Sequence, residues 1–511
     1  MVARTLSFVT LGVDARLVVV EADVGPGLPG IKIVGLADTA ISEARDRVRA
    51  AASHSDVEWP RTRITIALLP AGLPKRGAVL DAAIAVAILA ASDQVPAAAA
   101  AGTVIAGELG LDGRIHATRG VIAAALTARR QGVARMLVPE VNVAEARLVP
   151  GLEVGGVSTL AHLVGVLRGD RAPGDGETGP PPEDPGSAPD LADVHGQDEA
   201  RRALEIAAAG AHHLARVGPP GVGKTLLAER LPGLLPELSD DDAVEVTAIR
   251  SVAGRAAGIL VRRPPFEAPH HSASPVAVIG GGQSGRVHVG AVTLAHRGVL
   301  FLDEAPEFPR GVLEALRQPL ESGTIRIARS DLAVQLPARF HLVIAANPCP
   351  CGRGSGMGSS AGAECSCSSL QRRRYASRLS GPILDRLDLR ITLGRPTLGD
   401  LGLASEASCA VAPRIAEARA RARHRWAQAS LPWATNAEVP GPLLRRRFPP
   451  DPDAGALLRQ AVSGGALSLR GADRVLRVGW TLADLSGRER PVADDIGYAM
   501  SLRGVESVWA A

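Results

Sequence analysis

The stretch that most limits what this chain can fold into is Gly218-Pro219-Pro220-Gly221-Val222-Gly223-Lys224-Thr225, a full match to G-x-x-x-x-G-K-[ST]. Its three glycines let the backbone turn where a Cβ would be strained, so that successive N–H groups point into one concavity. Such a loop needs a strand to deliver the chain and a helix to carry it away, with the helix N-terminus facing an anion. Leu226 to Leu231 reads as that helix. The residue types suit a nucleoside triphosphate: amides around phosphate oxygens, Lys224 on the β- and γ-phosphates, and the Thr225 hydroxyl on Mg²⁺. The loop therefore constrains fold and ligand together, toward an α/β unit that binds ATP and Mg²⁺.

Two further segments extend this reading. Val299-Leu-Phe-Leu302 is a short apolar run followed by Asp303 and Glu304, the pattern of a buried strand that delivers two carboxylates. Asp303 suits the Mg²⁺ shell, and Glu304 suits a base that orients and deprotonates the attacking water. Residues 340–346 read as another buried strand, ending at Asn347. Asn347 either positions the lytic water or only closes a turn before Pro348. Strands buried on both faces with helices between them predict a parallel sheet.

With 511 residues, about three domains are expected. Residues 169–189 are rich in Gly, Pro and acidic side chains and read as a flexible linker. The chain then divides into an α/β domain of mixed order at 1–168, an ATPase domain at 190–400 and a helical lid at 401–511. In the first, residues 16–21 and 63–68 read as strands, and 39–53 and 81–91 as helices, the latter buried. Residues 195–211 read as a helix leading toward the glycine-rich loop. The longest apolar run, 82–91, is far short of the roughly 20 residues a membrane span needs. Asp14, Arg16 and Glu21 break the apolar character of the N-terminus, which does not read as a signal peptide. A cytoplasmic protein with reduced cysteines and no membrane partner is expected. Net charge is only +4, so any case for nucleic acid rests on arginine clusters rather than on the total. Aromatics at 3% weaken a case for binding by base stacking.

Cys349 and Cys351, then Cys365 and Cys367, form two C-x-C pairs separated by a Gly/Ser-rich segment. Four thiolates suit tetrahedral Zn²⁺, which would clip a segment unable to fold alone. Free thiols or a redox switch are the alternatives. Cys409 stands apart and reads as structural.

The order of the loop, the Leu-Asp-Glu strand and the Asn strand resembles the AAA+ superfamily. Segments 265–271, 279–282, 298–308 and 380–389 narrow the resemblance to the magnesium-chelatase-like branch, specifically the ComM/YifB family. That resemblance implies a ring of identical subunits, a hexamer by family, in which Arg386 reaches the γ-phosphate held by a neighbour. An ion pair of Arg386 with Asp385 or Asp388 is the other reading. Arg470 is implied as the lid arginine that touches nucleotide, with Arg474 one turn on as the alternative. The family also implies DNA as substrate, with a helicase-like role in branch migration during natural transformation. A protein-remodelling motor like the chelatase ATPase subunit is the competing expectation. Residues 323–329 read as one arm of a hairpin that would offer Arg326 and Arg329 to phosphates. Arginines at 372–374, 419–425 and 445–447 form further basic clusters.

The N-terminal domain resembles the proteolytic domain of Lon at residues 107–113 and 74–77. Where that family has its nucleophilic serine and its lysine base, this chain has Val79 and Ile122. Neither can attack a carbonyl or accept a proton, so no peptidase activity is expected.

Overall fold

The structure, a computed structural model, describes residues 2–35, 38–55, 57–176, 189–255, 258–283, 286–329, 332–353, 365–379, 381–394 and 405–503. The middle of the expected linker, 177–188, and most of the segment between the cysteine pairs, 354–364, lie outside the described residues. The chain forms two compact units. One comprises Met1–Pro185 with Asp240–Val261 and Gln283–Val289; the other comprises Gly186–Ser239, Arg262–Gly282 and Gly290–Ala511.

The first unit is built on a seven-stranded mixed sheet. Its strands are β1 (Val2–Leu11), β2 (Asp14–Gly25), β3 (Gly30–Val34), β4 (Arg63–Leu69), β5 (Thr103–Ile105), β6 (Arg135–Pro139) and β7 (Glu153–Val157), in the order β3-β4-β2-β1-β5-β6-β7. β1 and β2 form a long antiparallel hairpin with Leu6 opposite Val19. The helix Asp81–Ala91 is buried at every position, because ten of its eleven side chains are hydrocarbon and it packs against β1 and β2. Thr39–Ser53 forms the expected amphipathic helix, capped by Asp38, whose carboxylate accepts from the Ile41 N–H at 2.9 Å. Val79 is half-buried and Ile122 fully buried, both in hydrophobic clusters of this unit.

A helix from far along the chain, Asp240–Val252, belongs to this unit. It packs against Val121–Arg130, with Ala248 in the hydrophobic cluster there. Ser251 donates to the buried Glu145 carboxylate, which also accepts from Asn142 at 3.1 Å. Burial pushes the Glu145 carboxyl above its ordinary range, against those hydrogen bonds.

The second unit holds the predicted parallel sheet: β8 (Leu214–Val217), β9 (Phe266–Glu267), β10 (Val299–Leu302), β11 (His341–Ala346) and β12 (Leu389–Thr392), in the order β9-β10-β11-β8-β12. All four pairings are parallel, and β8, β10 and β11 are buried throughout. The helix after β8 spans Lys224–Leu234, beginning two residues before the expected start. The helix Asp198–Gly210 begins three residues later than expected, because Gln197 takes a left-handed conformation at φ 60°. Beyond residue 405 the described chain is helical, and Trp426 packs edge-on against Phe448 at 4.9 Å in its core. Among the described residues no helix is long and apolar enough to cross a membrane.

Candidate functional site

β8 carries the chain into the glycine-rich loop, where the Gly218 N–H donates to the last carbonyl of β11, that of Ala346, at 3.1 Å. Gly221 and Gly223 both take left-handed backbone, φ 81° and 85°, which side chains rarely adopt. Lys224, the first helical residue, is 8% exposed, and its Nζ donates to Gly218 O at 2.7 Å, Pro219 O at 3.0 Å and Asn347 Oδ1 at 2.9 Å. Burial pulls the Lys224 pKa down, opposed by the carboxylates of Asp303 and Glu304. The ammonium is thus desolvated at the mouth of the loop, where its attraction for an anion is strongest.

Thr225 Oγ1 donates to Asp303 Oδ2 at 2.8 Å, so the first turn of the helix and the end of β10 meet at two oxygens. Hard oxygen donors of this kind suit Mg²⁺, which binds through a few protein oxygens and the phosphates of its substrate. Glu304 follows directly. Its N–H donates to Asp303 Oδ1 at 2.9 Å, and its backbone takes φ 49°, uncommon for a residue with a side chain. Its Oε2 lies 3.2 Å from Nδ1 of His271. The geometry thus brings Lys224, Thr225, Asp303, Glu304 and Asn347 together at the carboxyl ends of adjacent strands, where open parallel sheets hold ligands.

Nothing in the sequence assigns His271 a function; its place beside Glu304 follows from the strand register. β9 and β10 pair with Phe266 opposite Val299. The same register carried past both strand ends sets His271 opposite Glu304.

Arg386 is 9% exposed and lies after the short helix Gly381–Leu384. It donates to Pro382 O at 2.5 Å and forms an ion pair with Glu321. Its partner is therefore neither Asp385 nor Asp388, the two carboxylates expected from the sequence. Asp388 is occupied elsewhere: Arg474 Nη1 lies 2.5 Å from it, and it accepts from the His213 N–H at 3.1 Å. Burial opposes ionisation of Asp388, but Arg474 and the neighbouring His212 and His213 outweigh it and hold the carboxyl well below its ordinary range. Arg470 is exposed in the first turn of the helix Leu469–Leu485.

Thr324–Arg329 pairs with Leu332–Pro337 as an antiparallel hairpin, with Arg326 opposite Gln335. Arg326 is exposed between buried Ile325 and Ile327. Arg329 ends its strand, and its side chain lies outside the described residues. The basic clusters separate once their partners are known. Arg372, Arg373 and Arg374 are exposed. The 419–425 cluster is largely structural. Arg419 donates to Ala208 O at 2.8 Å, Arg421 donates to Asp484 O at 2.6 Å, and Arg425 pairs with Asp484 while its guanidinium stacks 4.1 Å from the Trp480 ring centroid. Arg445 pairs with Asp473.

The four cysteine sulfurs of Cys349, Cys351, Cys365 and Cys367 all lie within 4.8 Å of one another. The closest separations are 3.3 Å for Cys349–Cys351, 3.5 Å for Cys349–Cys365 and 3.6 Å for Cys351–Cys365. Zinc–sulfur bonds of about 2.3 Å at tetrahedral angles would space the sulfurs about 3.8 Å apart, so the cluster fits that ion. The Arg353 backbone N–H and the neighbouring Cys349 pull the Cys351 thiol down to about 6, toward the thiolate that binds metal. Cys409, expected to be structural, is exposed near the start of the helix Ser408–Gln428.

Family models cover most of the chain. Residues 190–401 match "Magnesium chelatase, subunit ChlI", residues 20–142 match "Subunit ChlI of Mg-chelatase", and residues 405–503 match "Magnesium chelatase, subunit ChlI C-terminal". An uncharacterized protein of Mycobacterium tuberculosis is 50% identical over 503 residues, 98% of each chain. The YifB protein of Escherichia coli is 40% identical over 503 residues, 97% of this chain and 96% of its own. The competence protein ComM of Haemophilus influenzae is 38% identical over 513 residues, 98% of each.

Proposed function

Because the chain belongs to the ComM/YifB family of magnesium-chelatase-like proteins, we propose that it is an ATP-hydrolysing ring motor that acts on DNA. The observation that carries the ATPase reading is the convergence of Lys224, Thr225, Asp303, Glu304 and Asn347 at one strand-end cluster. The loop amides cradle the phosphates, and Lys224 exchanges its carbonyl partners for the β- and γ-phosphate oxygens. Bound Mg²⁺ supplies neutralisation of the phosphate charge, held by Thr225 and Asp303. Glu304 accepts the proton of a water that Asn347 helps to orient, as the water oxygen bonds to the γ-phosphorus and the bond to the β,γ-bridging oxygen breaks. Arg386 serves the site of a neighbouring subunit in the ring, and Arg470 touches nucleotide from the lid. The four cysteines hold a structural Zn²⁺; a purified chain with well under one zinc per copy counts against that part.

DNA as the substrate draws support from the relative named a competence protein. Within that reading the work is branch migration of recombination intermediates, with Arg326 and Arg329 on phosphates. Remodelling of a protein partner draws support from the chelatase family models. The deciding measurement is the ATPase rate with and without branched DNA, at low and moderate salt, beside Lys224→Ala. We expect a Lys224-dependent rate that DNA stimulates and salt suppresses, because phosphate contacts are lost to counterions. A Lys224-dependent rate indifferent to DNA rejects the DNA motor and leaves the protein remodeller; a rate unchanged in Lys224→Ala rejects the nucleotide site itself.

A further inference from the structure

The cysteine cluster adjoins the glycine-rich loop. β11 ends at Ala346, whose carbonyl accepts from the Gly218 N–H at 3.1 Å, and the next residue, Asn347, accepts from Lys224 at 2.9 Å. Two residues further on, the Cys349 side chain is fully buried. The chain then turns back on itself: the Gly352 N–H donates to Cys349 O at 2.9 Å, and Gly352 takes left-handed backbone at φ 72°. A Cβ added at Gly352 would stand 2.7 Å from both Cγ and Cδ of Pro220, well inside the roughly 3.5–4.0 Å at which carbon atoms pack. The first cysteine pair therefore sits on a knuckle that meets the glycine-rich loop at Gly218, Pro220 and Lys224.

The second pair leads back to the same place. Ser368, directly after Cys367, caps the helix Ser369–Ala376 and accepts from the Gln371 N–H at 3.2 Å. Near the end of that helix the buried Tyr375 hydroxyl shares a hydrogen bond with the backbone of Asn347. Arg378, just beyond, donates to Glu307 at 2.7 Å in the turn that follows Glu304. Between these two arms the Cys365 sulfur lies 3.5 Å from that of Cys349 and 3.6 Å from that of Cys351. Thiols hydrogen-bond weakly and thiolates repel one another, so a metal is what holds such a closure shut. We propose that the cysteine knuckle is a wall of the nucleotide site and not a remote clip. Closed on its metal, it fixes Pro220 from one arm and Asn347 from both, so zinc and ATP strengthen each other's binding. By linkage the effect is reciprocal and equal in the two directions. This rests on the readings of the four cysteines as zinc ligands and of the Lys224 loop as the nucleotide site.

The first test needs no turnover. The zinc affinity of the full chain is measured by competition with a zinc-selective dye chelator, with and without a non-hydrolysable ATP analogue and Mg²⁺, and binding of the analogue is followed separately by calorimetry. Saturating analogue is expected to raise zinc affinity at least about fivefold, the lower end of ordinary coupling between sites. Lys224→Ala is expected to lose both the analogue and the rise. The second test is the pair Cys365→Ser with Cys367→Ser, which leaves Gly352 and Pro220 in place. Zinc is expected to fall well below one per chain, and the KM for ATP to rise at least about fivefold at a temperature well below unfolding. A metal that only stabilised the fold would change the unfolding temperature and leave that KM alone. Analogue that binds the parent without changing zinc affinity overturns the coupling alone, and a parent that takes up no zinc overturns it together with the zinc reading. Analogue that fails to bind the parent overturns the nucleotide-site reading and the coupling with it. The competition measurement uses the parent chain, so it decides even if the double variant does not fold.

Discussion

Arg216 sits two residues before the glycine-rich loop, in the middle of β8, and is fully buried. Its guanidinium lies 5.6 Å from the Phe301 ring centroid, and none of its three nitrogens has a hydrogen-bond partner among the described residues. Burial drags its pKa down to about 9, with only the charge of Asp303 opposing. The sign follows from linkage. The unfolded chain keeps its proton to higher pH than the folded one, so the burial cost is present in full at neutral pH and fades only as pH rises past about 9. Arg216→Met keeps an unbranched side chain and removes the charge, so it is expected to raise the unfolding temperature of the nucleotide-site unit by several degrees. A lower unfolding temperature would mean that the guanidinium has a stabilising partner or a task near Asp303. Arg216 and His271 show what sequence reading cannot reach at this scale. Lys224, Thr225, Asp303 and Glu304 are legible because their chemistry comes with fixed spacing or a strand end. The partner of an isolated Arg or His is chosen by strands far apart in the chain.

At the scale of elements, strand and helix limits follow closely from hydrophobic period. Val299–Leu302 and Thr39–Ser53 have the expected bounds, because each is one uninterrupted pattern with a polar break at either end. What the pattern cannot say is which element packs on which. The helix Asp240–Val252 lies between the glycine-rich loop and β10 in sequence, yet packs with the N-terminal unit through Ala248 and the Ser251–Glu145 contact. The 419–425 arginines read as a basic surface until Ala208 and Asp484 take them. The same applies to Arg474, which ties the helix Leu469–Leu485 to the residue preceding β12 through Asp388, 1% exposed. Arg474→Ala strands a buried carboxylate and is expected to cost about 3–5 kcal/mol at neutral pH. The folded pKa of Asp388 is depressed, so its contribution is fully present above the ordinary carboxylate value of 3.8 and is lost as pH falls through the lower folded value. Denaturant unfolding of parent and variant should therefore diverge at pH 7 and converge in strong acid. Equal midpoints at pH 7 would show that the pair contributes nothing.

The proposed ring belongs to the assembly of several chains, and no single chain displays it. Arg386 carries that question, because the proposed motor gives it work only at the site of a neighbour, whereas within its own chain it bonds Glu321 and Pro382. Lys224→Ala abolishes the phosphate grip of a subunit but leaves it an arginine to offer; Arg386→Ala keeps the grip and has nothing to offer. Each alone should be inactive, since every site lacks one part. Mixed before assembly, an Arg386→Ala subunit can receive the arginine of a Lys224→Ala neighbour across a head-to-tail interface. In an equal random mixture roughly a quarter of the interfaces pair them in the productive order, so activity should return to no more than about that share of the parent rate. If the arginine acted within its own chain, no arrangement of these two variants would place both parts at one site. A mixture as inactive as its components would then remove the reason for assigning a ring, while renewed turnover requires that subunits share their sites.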